Sequence, residues 1–230
     1  MEEAVSARGM FCIALSGGSA LNLLAAALGP DALPATGWSA WRVFWVDERC
    51  VPFTSKRSNA GAAVRHWLAK VPIPGDQIIP VNGEIDPMIS ARDYERKIAE
   101  VLRPGTGELP RFDMMILGVG EDGHVASLFP DQPTLEEQHR WVLPVFHAPK
   151  PPPNRITLSM PVLLQARYLA VIAVGAAKRD IVRRAFDPHP SLPRLPIQRI
   201  RAGDGHVRWF LDEAAAAGLY EKEQEVNTRR

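Results

Sequence analysis

The amino-acid sequence predicts an α/β fold, a mostly parallel sheet with helices on both faces. Apolar runs of strand length alternate with stretches of helical period over most of the 230 residues. One run, FDMMIL at Phe112–Leu117, has the length and apolar content of a central parallel strand buried on both faces. The composition, 46% hydrophobic and 23% charged, is that of a packed globular chain.

The elements follow in order. Met10–Leu15 is the first strand. A helix comes next with Leu21, Leu24 and Leu28 on one face, closed by Gly29-Pro30. Trp41–Val46 is the second strand, Asn59–Lys70 a helix and Ile78–Val81 a short strand. Ala91, Tyr94, Ile98 and Val101 mark the apolar stripe of another helix, and Asp86–Arg96 reads as its solvated side. After FDMMIL come strands at Val142–Phe146, Ile156–Met160 and Leu169–Val174. A helix from Ala176 to Phe186, a weak strand at Ile197–Ile200 and a strand at Val207–Leu211 complete the series. Trp41, Trp45, Met114 and Met115 read as core, and Lys150–Asn154 (KPPPN) as a stiff lead-in to a strand. Residues 1–220 are expected to form a single domain, with 221–230 a frayed polar tail.

Bulk properties narrow the function. A net charge of +1 argues for neither a nucleic-acid partner nor a membrane surface, so any anion site is local. No apolar stretch approaches the ~20 residues that span a bilayer, and Met1–Met10 lacks a signal-peptide core, so a cytoplasmic protein is expected. Cys12 and Cys50 sit in or beside apolar runs and read as free thiols rather than a disulfide or redox pair. No Cys/His spacing suits a metal.

In parallel sheets, ligands sit beyond the carboxyl ends of the strands. Four places there carry chemistry. Ser16-Gly17-Gly18-Ser19 follows the first strand; glycines let the backbone approach an anion and the next helix offers free N–H groups, although a tight turn uses the same residues. Asp47-Glu48-Arg49 ends a buried run, as a site or as a solvated loop. Arg49 suits an anion, and Asp47 suits hydroxyls or a basic partner. Gly118–His124 (GVGEDGH) follows the central strand. An imidazole there suits a general base near neutral pH, with Asp122 to orient it or merely to form the turn. The other histidines, His66, His139, His147, His189 and His206, lack such a setting. Arg155 and Lys178 open a strand and a helix, and either converge on phosphate or are exposed cations.

These motifs, with WVDERCVP, Ser58-Asn59, FDMMILGVGEDGHVASLFP, KPPPNRITL, GAAK and WFLDEAAA, resemble the glucosamine-6-phosphate isomerase/6-phosphogluconolactonase family over about residues 10–217. The resemblance implies a Rossmann-like fold shared with glucosamine-6-phosphate deaminases and ribose-5-phosphate isomerases. It implies hydrolysis of 6-phospho-D-glucono-1,5-lactone in the oxidative pentose phosphate pathway, without cofactor or metal. It makes His124 catalytic, with Asp47 and Asp122 beside it. Ser16, Gly17, Gly18, Ser19, Arg49, Arg155 and Lys178 become the contacts to phosphate and sugar oxygens. It fits a monomer coupled in function to glucose-6-phosphate dehydrogenase.

Two departures stand out. Relatives usually carry a strand and a helix before the strand that leads into the glycine loop, whereas about nine residues precede that strand here, leaving a shortened chain or a sheet without one edge. The loop reads SGGSALN where many relatives have Thr-Pro after the second serine, one hydroxyl fewer. Two rival functions follow. A deaminase has a glutamate five residues after its histidine; Phe129 stands there in this chain. A non-catalytic sugar-phosphate sensor would keep the loop without the Asp47, Arg49 and His124 set. A dinucleotide-binding dehydrogenase is disfavoured, because SGGS is too short for GxGxxG.

Overall fold

Apolar runs become parallel strands when helices cover both of their faces. The computed structural model describes residues 1–32, 35–189, 194–201 and 204–219; the expected tail at 221–230 lies outside them. Helix α1 (Glu2–Arg8) precedes β1 (Phe11–Leu15). α2 (Ser19–Ala27) and α3 (Ala35–Trp38) lead to β2 (Trp41–Trp45), then β3 (Asp47–Arg49), α4 (Asn59–His66) and α5 (Pro87–Leu102). β4 (Met114–Gly118), β5 (Val142–Val145), β6 (Arg155–Leu158), α6 (Met160–Leu164) and β7 (Tyr168–Ala173) follow. α7 (Arg179–Ala185), α8 (Pro196–Arg199) and β8 (His206–Leu211) complete the named elements.

The main sheet has the order β2-β1-β4-β7-β8, and all its pairings are parallel. From β1 the chain builds outward to β2 on one side, and from β4 to β7 and β8 on the other. The switch in direction therefore falls between β1 and β4, where the crevice of such sheets opens. β1 is buried at every residue, as is the middle of β4. Trp45 and Met115 are fully buried and Trp41 nearly so, while Met114 is half-buried.

A second sheet, β3-β6-β5, is antiparallel and was not expected. The strands expected at Val142–Phe146 and Ile156–Met160 pair there rather than in the main sheet. Val46 is the junction between the sheets: its N–H donates to the Leu15 carbonyl at 3.0 Å and its carbonyl accepts from Leu158 N–H at 2.8 Å. The fully buried Tyr94 of α5 secures the end of β2, accepting from Trp45 N–H at 2.6 Å and donating to the Trp45 carbonyl at 3.0 Å. Asp47 is thereby held beside the end of β1.

Other elements differ from expectation for local reasons. Ile78–Val81 is no strand; a single parallel bridge joins Ile78 to Val43 after a 3-10 turn at Gly75–Gln77. Pro80 has no N–H to extend that ladder. Ile197–Ile200 is not a strand either. Pro196 occupies the first helical position of α8, and the Gln198 side chain accepts from Leu195 N–H at 2.8 Å, so the segment turns helical. The helix expected to Lys70 stops at His66 and continues as a 3-10 turn, Leu68–Lys70. The helix expected from Ala176 begins with a 3-10 turn to Lys178. α5 matches its stripe, with Ala91, Tyr94 and Ile98 buried and Asp86 capping Met88 N–H at 2.8 Å. Asp93, Arg96, Lys97 and Glu100 pair along its outer side.

Cys12 and Cys50 are free, and burial pushes their thiols up to about 12 and about 11. Among the described residues, no helix is long and apolar enough to cross a membrane, and no group of three His, Cys, Asp or Glu could hold a metal.

Candidate active site

The loops after β1, β2, β4 and β7 meet the start of β6 around a polar cleft of about 270 Å³. Ser16, Gly17, Gly18 and Ser19 line it, with Asp47, Arg49, His124, Arg155 and Lys178. Every expected site residue except Asp122 contributes to that wall, and Asp122 touches it through His124. Lys150, Gly120 and Ala126 line it as well and were not singled out in the sequence. Of the six histidines, His124 alone reaches it among the described residues.

The glycine loop is shaped by close approach. Gly18 takes a positive φ of 74° as the N-cap of α2, and with Ser19, the first residue of that helix, it lines the cleft. At Gly17 a Cβ would overlap the Asn59 side-chain amide. That amide is buried and donates to the Asp47 carbonyl at 2.9 Å. A side chain at 17 would therefore push on the residue that holds Asp47.

The DER segment divides its roles. Asp47 faces the cleft although it is only 6% exposed. Its Oδ2 accepts from Ser127 Oγ at 2.7 Å, and Ser127 Oγ accepts from Arg155 Nη1 at 3.3 Å. Ser127 thus bridges the Asp47 carboxylate and the Arg155 guanidinium. Glu48 points the other way. Its two oxygens accept from Arg49 N–H and Asn59 N–H at 2.7 Å, Ala60 N–H at 2.8 Å and Ser58 Oγ at 3.0 Å. Burial pushes its carboxyl up, while the Ala60, Asn59 and Arg49 N–H groups pull it down. It is the anchor of α4, not a cleft residue. Glu48→Gln turns an amide NH₂ against donors, and we expect about 2–3 kcal/mol lower stability, read as a lower urea midpoint at unchanged m.

Arg155 is not the exposed cation that its sequence position allowed. It is 3% exposed, and its guanidinium donates to the carbonyls of Pro152 at 3.0 Å and Lys150 at 2.8 Å. Burial pushes it down, and the charge of Asp47 offsets only part of that. Its first task is to hold the proline turn against β6, and with it Lys150. The guanidinium also lies 5.4 Å over the Phe129 ring, which packs against His124 as well, at 4.6 Å between ring centroids.

His124 is fixed on three sides. Phe129 packs on its ring, Gly120 N–H donates to its carbonyl at 2.9 Å, and Asp122 Oδ1 stands 2.5 Å from its Nδ1. Burial pushes the Asp122 carboxyl up, but the hydrogen bond and charge of His124 and the charge of Lys150 outweigh it and hold the carboxyl well below the usual range. An ionised carboxylate only accepts, so a proton belongs on Nδ1, and in the neutral ring it is Nε2 that offers the lone pair. Gly120 makes room for the pair; a Cβ there would overlap both the imidazole and the carboxylate. Gly120→Ala is expected to lower kcat about 100-fold in a folded protein by displacing the ring. Steady-state rates beside circular dichroism check this.

A family model described as glucosamine-6-phosphate isomerases/6-phosphogluconolactonase matches residues 1–209. The chain belongs to this family. It is 40% identical over 212 residues to a 6-phosphogluconolactonase of Homo sapiens, covering 91% of this chain and 81% of that protein. It is also 40% identical to a protein named probable 6-phosphogluconolactonase 4, chloroplastic, of Oryza sativa subsp. japonica, covering 94% of this chain and 68% of the other. The solved structure of 6-phosphogluconolactonase from Leishmania guyanensis superposes with a TM-score of 0.79 at 28% identity, covering 95% of this chain and 91% of that one. The mostly parallel, Rossmann-like sheet is thus that of the family.

Sequence reasoning passed over Ser127, Asn59 and Lys150. Each lay inside a quoted motif, but nothing in the residue types told which of them the tertiary fold would turn toward Asp47 or Asp122.

Proposed function

We propose that this family member hydrolyses 6-phospho-D-glucono-1,5-lactone to 6-phospho-D-gluconate in the oxidative pentose phosphate pathway, with His124 as general base. One observation carries the reading. His124, paired with Asp122 behind it, shares one cleft at the sheet's switch point with the glycine loop, Arg49 and Lys178.

The phosphate rests on the N–H groups of the 17–19 loop and on Arg49 and Lys178, with Ser16 and Ser19 donating hydroxyls. Asp47, oriented by Ser127 and Asn59, accepts from a sugar hydroxyl. The lactone carbonyl lies before His124. A water oxygen bonds to C1 while its proton passes to Nε2, and Asp122 stabilises the imidazolium. The tetrahedral intermediate then breaks the bond between C1 and the ring oxygen, which takes the proton back from Nε2. The product acid ionises in water. Electrons stay paired throughout and no redox partner is consumed. The lactone is an activated ester, so a base and good orientation supply most of the acceleration required.

Phe129 favours hydrolysis over deamination, because a buried phenyl ring cannot serve as the second carboxylate that aminosugar chemistry uses. The reading extends to a cytoplasmic monomer whose substrate comes from oxidation of glucose 6-phosphate. The test generates the lactone from glucose 6-phosphate and a dehydrogenase, then follows formation of 6-phosphogluconate. A rate well above spontaneous hydrolysis is expected; a rate equal to it, or ammonia released from glucosamine 6-phosphate, overturns the reading.

A further inference from the structure

Lys150 has no part in the scheme above, yet its ammonium lies 3.5 Å from Asp122 Oδ1, the oxygen that stands 2.5 Å from His124 Nδ1. Those two distances put the ammonium within about 6 Å of the imidazole. Arg155 holds it there by binding the Lys150 carbonyl, so a buried arginine of the second sheet delivers a lysine to the catalytic loop of the first.

We propose that Lys150 is a positioning residue that shares Asp122 with His124 and keeps Nε2 of the imidazole free of a proton at the pH where it must take one from water. The proposal rests on His124 acting as base. A carboxylate at Nδ1 does two things to a histidine: it fixes the useful tautomer, and it favours the imidazolium, which is useless as a base. The second effect needs a counterweight if the enzyme is to work on the acid side of neutrality. A cation on the same carboxylate oxygen provides one, cancelling part of its field while leaving its hydrogen bond in place. The other charges that line the cleft are Arg49 and Asp47 on β3, Lys178 before α7, and Arg155, which lies over the Phe129 ring and also feels the charge of Asp122. Among the described residues, the ion pairs of Asp122 are those with His124 and Lys150.

At such a distance, with Lys150 half-exposed and screened, removing its charge is worth about 0.5–1 pH unit at His124. The sign follows directly: without the ammonium the imidazolium is favoured, so the acid limb of kcat/KM moves to higher pH. Lys150→Met and Lys150→Gln should both show this shift, with a loss of rate several-fold larger at acid than at alkaline pH. Lys150→Arg should return the limb toward its original position. NMR titration of the His124 ring, without substrate, should show the same displacement in the same three variants. An acid limb and a ring titration that stay put or move down in Lys150→Met and Lys150→Gln overturn the proposal, as does an arginine variant that behaves like the methionine one. The NMR arm needs no turnover. A parent protein without lactonase activity would therefore refute the proposed function, while an unmoved ring titration in an active enzyme would refute only the role of Lys150.

Discussion

His124→Ala is expected to lower kcat for lactone hydrolysis by roughly 10²- to 10⁴-fold while leaving KM within about threefold, the range that a positioned base contributes. The loss falls on kcat because the ring meets the substrate only through the water it activates, whereas the phosphate is gripped elsewhere. The residual rate should approach that of the free lactone in buffer, so the assay must subtract the spontaneous reaction. The fold should survive, since the side chain is a cleft-facing residue and its loop is closed by backbone bonds from Gly120 to His124 and from Gly123 to Gly120. Asp122 does not supply the acid limb of the parent's pH profile, because its carboxyl is held well below the usual range and stays ionised there. That limb should vanish in His124→Ala. Near-normal turnover in the folded variant would remove His124 from the chemistry.

The second large effect concerns the other end of the substrate. Lys178→Ala is expected to lower kcat/KM about 10- to 100-fold, mostly through KM, because a cation–phosphate hydrogen bond is worth about 1.5–3 kcal/mol. Arg155→Ala is a poorer probe than the sequence suggested. Its guanidinium ties down the carbonyls of Lys150 and Pro152, so its removal also loosens the loop beside Asp122. In Lys178→Ala, inorganic phosphate should compete less well with the lactone. An unchanged KM and an unchanged inhibition constant for phosphate would take Lys178 out of the binding site.

The parallel sheet was legible because its signals are local. Runs such as MFCIAL and FDMMIL carry their own burial, and the chemistry in such a sheet lies at strand ends, which the sequence marks with SGGS, DER and GVGEDGH. The second sheet was not legible. β3 is three residues of charge, and β5 and β6 look like any other apolar run, so nothing nearby says that β6 pairs with β5 on one side and with Asp47–Arg49 on the other. Ile197–Ile200 misled for a similar reason: a β-branched pair reads as strand until Pro196 and the Gln198 cap are given their helical roles. Among the site residues, His124 and the glycine loop were visible in type and position. The separate duties of Glu48, which caps a helix, and Asp47, which faces the cleft, emerge only when α4 is placed against β3.

Lys178, Arg49 and Lys150 all line the cleft, the last paired with Asp122 beside His124, so the orientation of the substrate is the central claim. A crystal structure with bound 6-phosphogluconate tests it most directly. The account predicts phosphate oxygens on the N–H groups of the 17–19 loop and on Lys178, with the carboxylate carbon about 3–3.5 Å from His124 Nε2. A phosphate seated against Lys150 and His124, with the carboxylate in the glycine loop, would contradict it.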